Sequence, residues 1–238
     1  MRPVNRGSWP AEASRRFRVF AEYSHARPFL IDNLGDYCSF CEIPMPTGLA
    51  VEHIRHKDGN PELEKNWTNF LLACPSCNST KSTKVSTEAD VEARLWPHLD
   101  RTFDIFEYDA GGIVRLVNID DPKLAARARA TEEMVQLQRR PGNGFTLEQD
   151  LSDSDRRWEK RLQVWDEAHD AREDLRRQDN PIVRHRILRL ARACGFWSVW
   201  MTVFCDDEEM LRDLCSDIYF PGTATDRVYP LPGRLVSK

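Results

Sequence analysis

The chain has 238 residues, 41% hydrophobic and 30% charged. A globular protein with a core that needs no disulfide staples fits that composition, and overall disorder and collagen-like repeats are excluded. Thirty-four Lys and Arg against 38 Asp and Glu leave a formal net charge of -4, so there is no global basic field and any phosphate contact has to be local. The longest uncharged run, Asn66 to Thr80, is shorter and more polar than the ~20 apolar residues of a membrane span. MRPVNRGSWP has no signal-peptide apolar stretch, so a cytoplasmic protein without membrane contact is expected.

In chain order, Ala11 to Leu34 mixes aromatics with Arg15, Arg16, Arg18 and Arg27 and predicts helices ending at Gly35. Residues 1–35 then form a helical cover over the cysteine-rich segment after them, or a stretch that lays arginines along a duplex. The chain's seven cysteines fall into two groups. Cys38, Cys41, Cys74 and Cys77 make two Cys-x-x-Cys knuckles, in which the two-residue gap lets both thiolates of a pair face one ion. Two knuckles supply the tetrahedral sulfur set of a structural zinc site. A redox Cys-x-x-Cys is the alternative, but it needs one such pair at a helix start. Cys194, Cys205 and Cys215 lie among Leu, Val, Phe and Trp and read as buried thiols.

Between the knuckles, LAVEHI comes after a Pro/Gly turn and reads as a strand with Glu52 and His53 near its end. A charged loop, HKDGNPELEKN, leads to WTNFLLAC and the second knuckle, and Asn78-Ser-Thr-Lys81 opens a helix. The chemistry on offer is an acid beside a histidine, an asparagine sixteen residues beyond the histidine, and another nine further on. Taken singly, a pair such as Glu52-His53 is more often a surface pair than a catalytic one, and Asn78 could be a helix cap.

Together, Glu52-His53, Asn69 within N-x-L-L-x-C, Asn78 within C-x-x-C-N-x-x-K and the four cysteines resemble the zinc-knuckle subset of the HNH endonucleases. The resemblance spans about residues 36–84. Glu52 stands where most members have Asp, and Arg55-His56-Lys57 where a proline is frequent. The resemblance implies a ββα-metal site in which His53 is the general base and Glu52 and Asn78 hold one divalent cation, Mg²⁺ or Mn²⁺. Asn69 would tie the loop across the site and orient His53, beside a structural Zn²⁺. Lys81, Lys57 and His56 are expected near phosphate.

Further on, residues 95–119 carry the alternation and the Gly111-Gly112 turn of a β-hairpin, with Phe106 and Tyr108 on one face and Phe103 and Ile105 on the other. Pro122 starts a helix to Arg140, and the PGNG at 141–144 is a break. Leu151 to Asp179 reads as a charged helix with Trp158, Leu162, Trp165 and Leu175 on its apolar face. Asn180-Pro181 opens a helix that ends before Gly195. From Asn180 through Cys205 no acidic residue interrupts Arg184, Arg186, Arg189 and Arg192, a local positive patch in which Arg189 and Arg192 are candidate nucleic-acid contacts. GFWSVWMTVF is either core or an anchor for a partner. An HNH module with such a tail is similar to nucleases of Septu-like antiphage defence systems, which implies a protein partner, an ABC-type ATPase.

The expectation is an α+β, mostly helical protein: a cover over 1–35, an HNH module with zinc knuckles and hairpin over 36–121, and a helical C-terminal region over 122–238. Its function is expected to be metal-dependent DNA hydrolysis, RNA being the lesser candidate substrate. The rivals are a zinc-stabilised nucleic-acid-binding module and an assembly protein whose site is silent without its partner.

Overall fold

The computed structural model describes residues 1–140, 155–232 and 235. Helices make up 49% of it and strands come only in pairs, so the mixed, mostly helical fold is the one that forms. The break expected at 141–144 lies outside the described residues, as do the first four residues of the helix expected over 151–179.

The N-terminal segment is less helical than expected. A 3₁₀ turn at Tyr23–Ala26 runs into α1 (Arg27–Leu34), which stops at Gly35 with φ 75°. Before it, Ala11 bridges Phe17 and the Trp9 and Phe17 rings lie 5.7 Å apart, so residues 11–17 fold back on themselves instead of coiling. Phe20 stacks against Trp67 and tilts against Phe70. What this segment covers is therefore the first ribbon, β1 (Ala50–His53) and β2 (Phe70–Ala73), which pair antiparallel with Glu52 opposite Leu71 and His53 opposite Phe70.

From β2 the chain passes directly into α2 (Pro75–Lys81). Cys74 caps it, its sulfur accepting the Cys77 N–H at 3.4 Å, and Pro75 sits in the first turn. A capping box of Thr87 and Asp90 opens α3 (Glu88–Glu92). The hairpin is shorter than its sequence suggests. Phe103 and Ile105 belong to a single helical turn, α4 (Thr102–Ile105), and only β3 (Phe106–Asp109) and β4 (Ile113–Leu116) pair. Phe106 and Tyr108 do share a face, and it is buried.

Beyond the hairpin, α5 (Pro122–Val135) is capped by Asp121 and ends five residues before Arg140, at Gln136 with φ 48°. In α6 (Arg157–Arg177) the buried positions are Arg157, Arg161, Val164, Ala168, Ala171 and Leu175, while Trp158 and Trp165 are only half-buried. Apart from Leu175, the inward stripe thus lies one position before the expected one, and it begins with two arginines. α7 (Pro181–Cys194) is capped by Asn180, whose side chain accepts from the N–H groups of Ile182 and Val183, and stops at Gly195 with φ 68°. α8 (Trp197–Val203) is core: Trp197, Trp200 and Met201 are wholly enclosed, so the aromatic tail offers no exposed docking face. Asp207 caps α9 (Glu208–Leu214). Of the three outlying cysteines only Cys215 is buried; Cys194 and Cys205 are half-buried.

One buried apolar cluster runs from Met1 to Leu235. Val4 bridges Thr223 and bonds to the Pro97 carbonyl at 2.7 Å. Arg227 Nη2 donates to the Val4 carbonyl at 3.0 Å. His98 lies half-buried in this seam, where burial, then Arg6 and Arg227, push it down to about 3. A histidine that charges only in the unfolded chain removes stability as pH falls below about 6.5, by up to about 1.4 kcal/mol per pH unit. Chemical denaturation of His98→Gln between pH 7 and 4 is therefore expected to show a shallower acid loss than the parent chain. The hairpin tip gives a second expectation. A Cβ on Gly112 would lie 2.2 Å from the Trp158 carbonyl oxygen, at φ 68°. Gly112→Ala should cost about 2–4 kcal/mol in the same assay.

Candidate metal centre and catalytic site

Both knuckles are fastened to the ribbon. In the first, the Ser39 N–H donates to the Leu72 carbonyl at 2.8 Å and Ser39 Oγ accepts the Leu72 N–H at 3.2 Å. The second is the start of α2. All four cysteines are buried, their Sγ atoms lie within 4.8 Å of one another, and those of Cys41 and Cys74 are 3.6 Å apart. Four thiolates bound at ~2.3 Å to one tetrahedral ion stand roughly 3.8 Å apart, so the set fits zinc. Burial pushes the Cys41 and Cys77 thiols up, whereas hydrogen bonds from Cys38, Cys41 and Cys77 hold Cys74 well below the usual thiol range. A divalent cation is the counter-charge such a donor set suits.

Two residues besides the cysteines tie this centre to the rest of the fold. Glu42, buried beside Cys41, accepts the Arg2 N–H at 2.7 Å, the Ser198 N–H at 2.7 Å, the Ser198 hydroxyl at 2.6 Å and the Tyr108 hydroxyl at 3.2 Å. Arg157, buried at the head of α6, donates Nη1 to Cys77 Sγ at 3.1 Å. Burial opposes its charge, but Cys77 and Asp155 outweigh that and hold the guanidinium above its ordinary range. Sequence reasoning missed Arg157. The available signal was the regular spacing 157, 161, 164, 168, 171, 175, which puts two arginines on an apolar stripe.

Glu52 and His53 point to different surroundings, as successive strand residues do. Glu52 is buried and its Oε1 lies 2.8 Å from Lys81 Nζ, itself wholly enclosed. Lys81, expected at phosphate, is therefore the counter-ion of Glu52, because α2 packs on β1 and its last turn reaches the strand. Burial pushes the Glu52 carboxyl up, against the pull of Lys81. Asn78 is half-buried one turn before Lys81, at a spacing that sets both on one helix face. A carboxylate and an amide oxygen are donors that suit a hard divalent ion, which would share Glu52 with the Lys81 ammonium.

His53 is held on both sides. Its Nε2 lies 2.9 Å from the Glu64 carbonyl, and its ring packs edge-on against Tyr23 at 4.8 Å and Phe70 at 5.3 Å. A carbonyl only accepts, so the proton sits on Nε2 and Nδ1 carries the lone pair. Burial pushes the imidazole below the usual histidine range, and Lys57 and Lys81 add to this against the Glu64 carbonyl. Asn69 staples the intervening loop: Oδ1 accepts the Arg55 N–H at 2.8 Å, and Nδ2 donates to the Arg55 carbonyl at 2.9 Å and to that of Leu63 at 3.4 Å. Tyr23 and the Glu64 carbonyl are further site groups the sequence did not announce; a backbone acceptor leaves no residue signature.

Of the expected phosphate contacts, Lys57 is half-exposed, 4.7 Å above the Tyr23 ring and 3.9 Å from Glu64, and His56 lies 3.8 Å from Asp58. The arginine patch divides. Arg184 is tied to Asp179, Asp207 and Glu209, and Arg186 shares a groove with Glu167, Asp170 and Asp174. Arg189 and Arg192 are exposed and line a different groove of about 560 Å³ with His185, Tyr37, Tyr219 and one acid, Asp36.

No curated protein and no solved structure matches the chain. Residues 37–84, which hold all four cysteines, Glu52, His53, Asn69, Asn78 and Lys81, match the HNH endonuclease family.

Proposed function

We propose that the chain hydrolyses phosphodiester bonds of DNA as a metal-dependent endonuclease, with His53 as general base and Glu52 and Asn78 as ligands of one Mg²⁺ or Mn²⁺. The observation that carries the reading is the clamping of His53. Its Nε2 is spent on the Glu64 carbonyl and its ring is wedged between Tyr23 and Phe70, which leaves Nδ1 as a neutral, oriented base. The fit of residues 37–84 to the HNH endonuclease family supplies the reaction class.

In this reading Nδ1 takes the proton of a water attacking phosphorus. Asn69 keeps the loop carrying Glu64 at a fixed distance from His53, so the base does not turn away. Glu52 and Asn78 would hold the cation, which when bound supplies the Lewis acid for charge growing on the phosphate and the leaving oxygen. Lys81 opposes the effect of burial on the Glu52 carboxyl and fixes its Oε1 at 2.8 Å. His56 and Lys57 flank the site, and Arg189 and Arg192 extend phosphate contact onto α7. The Septu-like resemblance adds an ABC-type ATPase as partner. Its support is that resemblance alone, and co-expression with recovery of a bound ATPase tests it.

Plasmid cleavage in Mg²⁺ or Mn²⁺ is expected to fall by about 10²–10⁴-fold in His53→Ala while zinc content stays unchanged. Cleavage surviving the substitution would remove His53 as the base. DNA binding by the isolated chain should be weak and salt-sensitive, as an acidic protein with few phosphate contacts requires. Arg189→Ala with Arg192→Ala should lower the slope of log affinity against log salt by about 2, and an unchanged slope would take α7 out of the interface.

A further inference from the structure

The charge around the four sulfurs leads beyond catalysis. Four thiolates and one Zn²⁺ leave two negative charges in a centre that is buried on every side. A buried charge of that size needs hydrogen-bond donors aimed at it. Within the knuckles there is one, the Cys77 N–H on Cys74 Sγ. The strongest donor comes from eighty residues away: Arg157 Nη1 stands 3.1 Å from Cys77 Sγ.

Nothing about Arg157 is incidental. The side chain is 4% exposed. Asp155 grips its Nε at 2.8 Å and its Nη2 at 2.6 Å. The Val135 carbonyl takes Nη1 at 2.9 Å, and the Gln136 carbonyl takes Nη2 at 3.1 Å. The left-handed turn at Gln136, which ends α5 early, is what presents those two carbonyls. One guanidinium thus joins the second knuckle, the end of α5 and the start of α6. The first knuckle has a matching tie, since Glu42 beside Cys41 holds the start of α8 through Ser198.

We infer that Arg157 is a positioning residue of the zinc centre, whose charge-assisted N–H···S bond to Cys77 makes zinc retention depend on the docking of α6. The bond draws charge from the thiolate, so that protons and competing chelators take Cys77 from the metal less readily. Coupling of this kind is reciprocal: whatever α6 adds to zinc affinity, zinc adds to the docking of α6. The inference rests on zinc in the four-cysteine site and is independent of nuclease activity.

Full-length protein loaded with zinc and mixed with a chromogenic chelator gives the rate of zinc release directly. Arg157→Met should release zinc about 10–100-fold faster than the parent chain, the loss usual for a group that supports a metal ligand. Arg157→Lys, which keeps the charge but loses the fork, should fall between. Arg161→Met is the control. Arg161 lies one turn along the same buried stripe, but it bonds the Gly112 and Leu137 carbonyls at 3.0 and 2.7 Å and no sulfur, so its loss should destabilise the fold and leave release within a few-fold of the parent. Stripping zinc should in turn speed amide hydrogen exchange along α6. Should Arg157→Met not fold, Arg157→Lys decides the matter against the same control. Zinc release from the Arg157 variants no faster than from Arg161→Met overturns the inference while leaving the zinc site standing. A parent protein that holds no zinc overturns both.

Discussion

Four sulfurs packed within 4.8 Å are a concentration of charge that no apolar interior tolerates without compensation, and the surrounding architecture is organised around providing it. The ribbon they frame has two strands of four residues, too little to hold a shape in water. What fixes it is its ends. Ser39 locks the first knuckle onto Leu72, and Cys74 turns β2 into α2. Glu42 and Arg157 then carry the load outward into the hairpin, α6 and α8. Without the sulfur set at the middle, these ties would converge on nothing.

The geometry around Glu52 and His53 depends on the same frame. Because α2 begins at Cys74 and Cys77, its last turn falls over β1, which sets Lys81 against Glu52 and leaves Asn78 on the same face. Because β2 begins just after Asn69, that asparagine sits where it can span the loop leaving β1 and hold Arg55 and Leu63. His53 then lies between a carbonyl of that loop and the aromatic rings of Phe70 and Tyr23. Three separate stretches of chain meet at one imidazole, and the four-cysteine frame sets the register between two of them.

Features that depend on neighbours in sequence are legible in the order of residues alone. The knuckle spacing points to the metal centre, and Asn180-Pro181, Pro122 and Gly195 mark helix ends that hold. The hairpin turn at Gly111-Gly112 holds too. Features that depend on distant partners are not legible there. The spacing sets Arg157 and Arg161 on a buried stripe but does not say what holds them there: apart from Asp155, two residues before Arg157, their acceptors, a cysteine sulfur and the carbonyls of Gly112, Val135, Gln136 and Leu137, lie elsewhere in the chain. Lys81 reads as a phosphate contact because nothing local says that its turn packs on Glu52. The arginine patch on α7 reads as a binding surface or as charges compensated by neighbouring helices, and the order of residues does not say which: Arg184 is neutralised by Asp179, Asp207 and Glu209. The aromatic tail reads as either core or anchor and is core, since burial of Trp197 and Trp200 is decided by how α8 sits under the hairpin and α6.

The claim on which the rest depends is that the four cysteines act as one zinc site. X-ray absorption at the zinc edge on the purified full-length chain tests it most directly. The account predicts one tightly held zinc per chain with four sulfur neighbours at ~2.3 Å. A chain that folds without zinc, or a zinc shell containing nitrogen or oxygen in place of any of the four sulfurs, would contradict it.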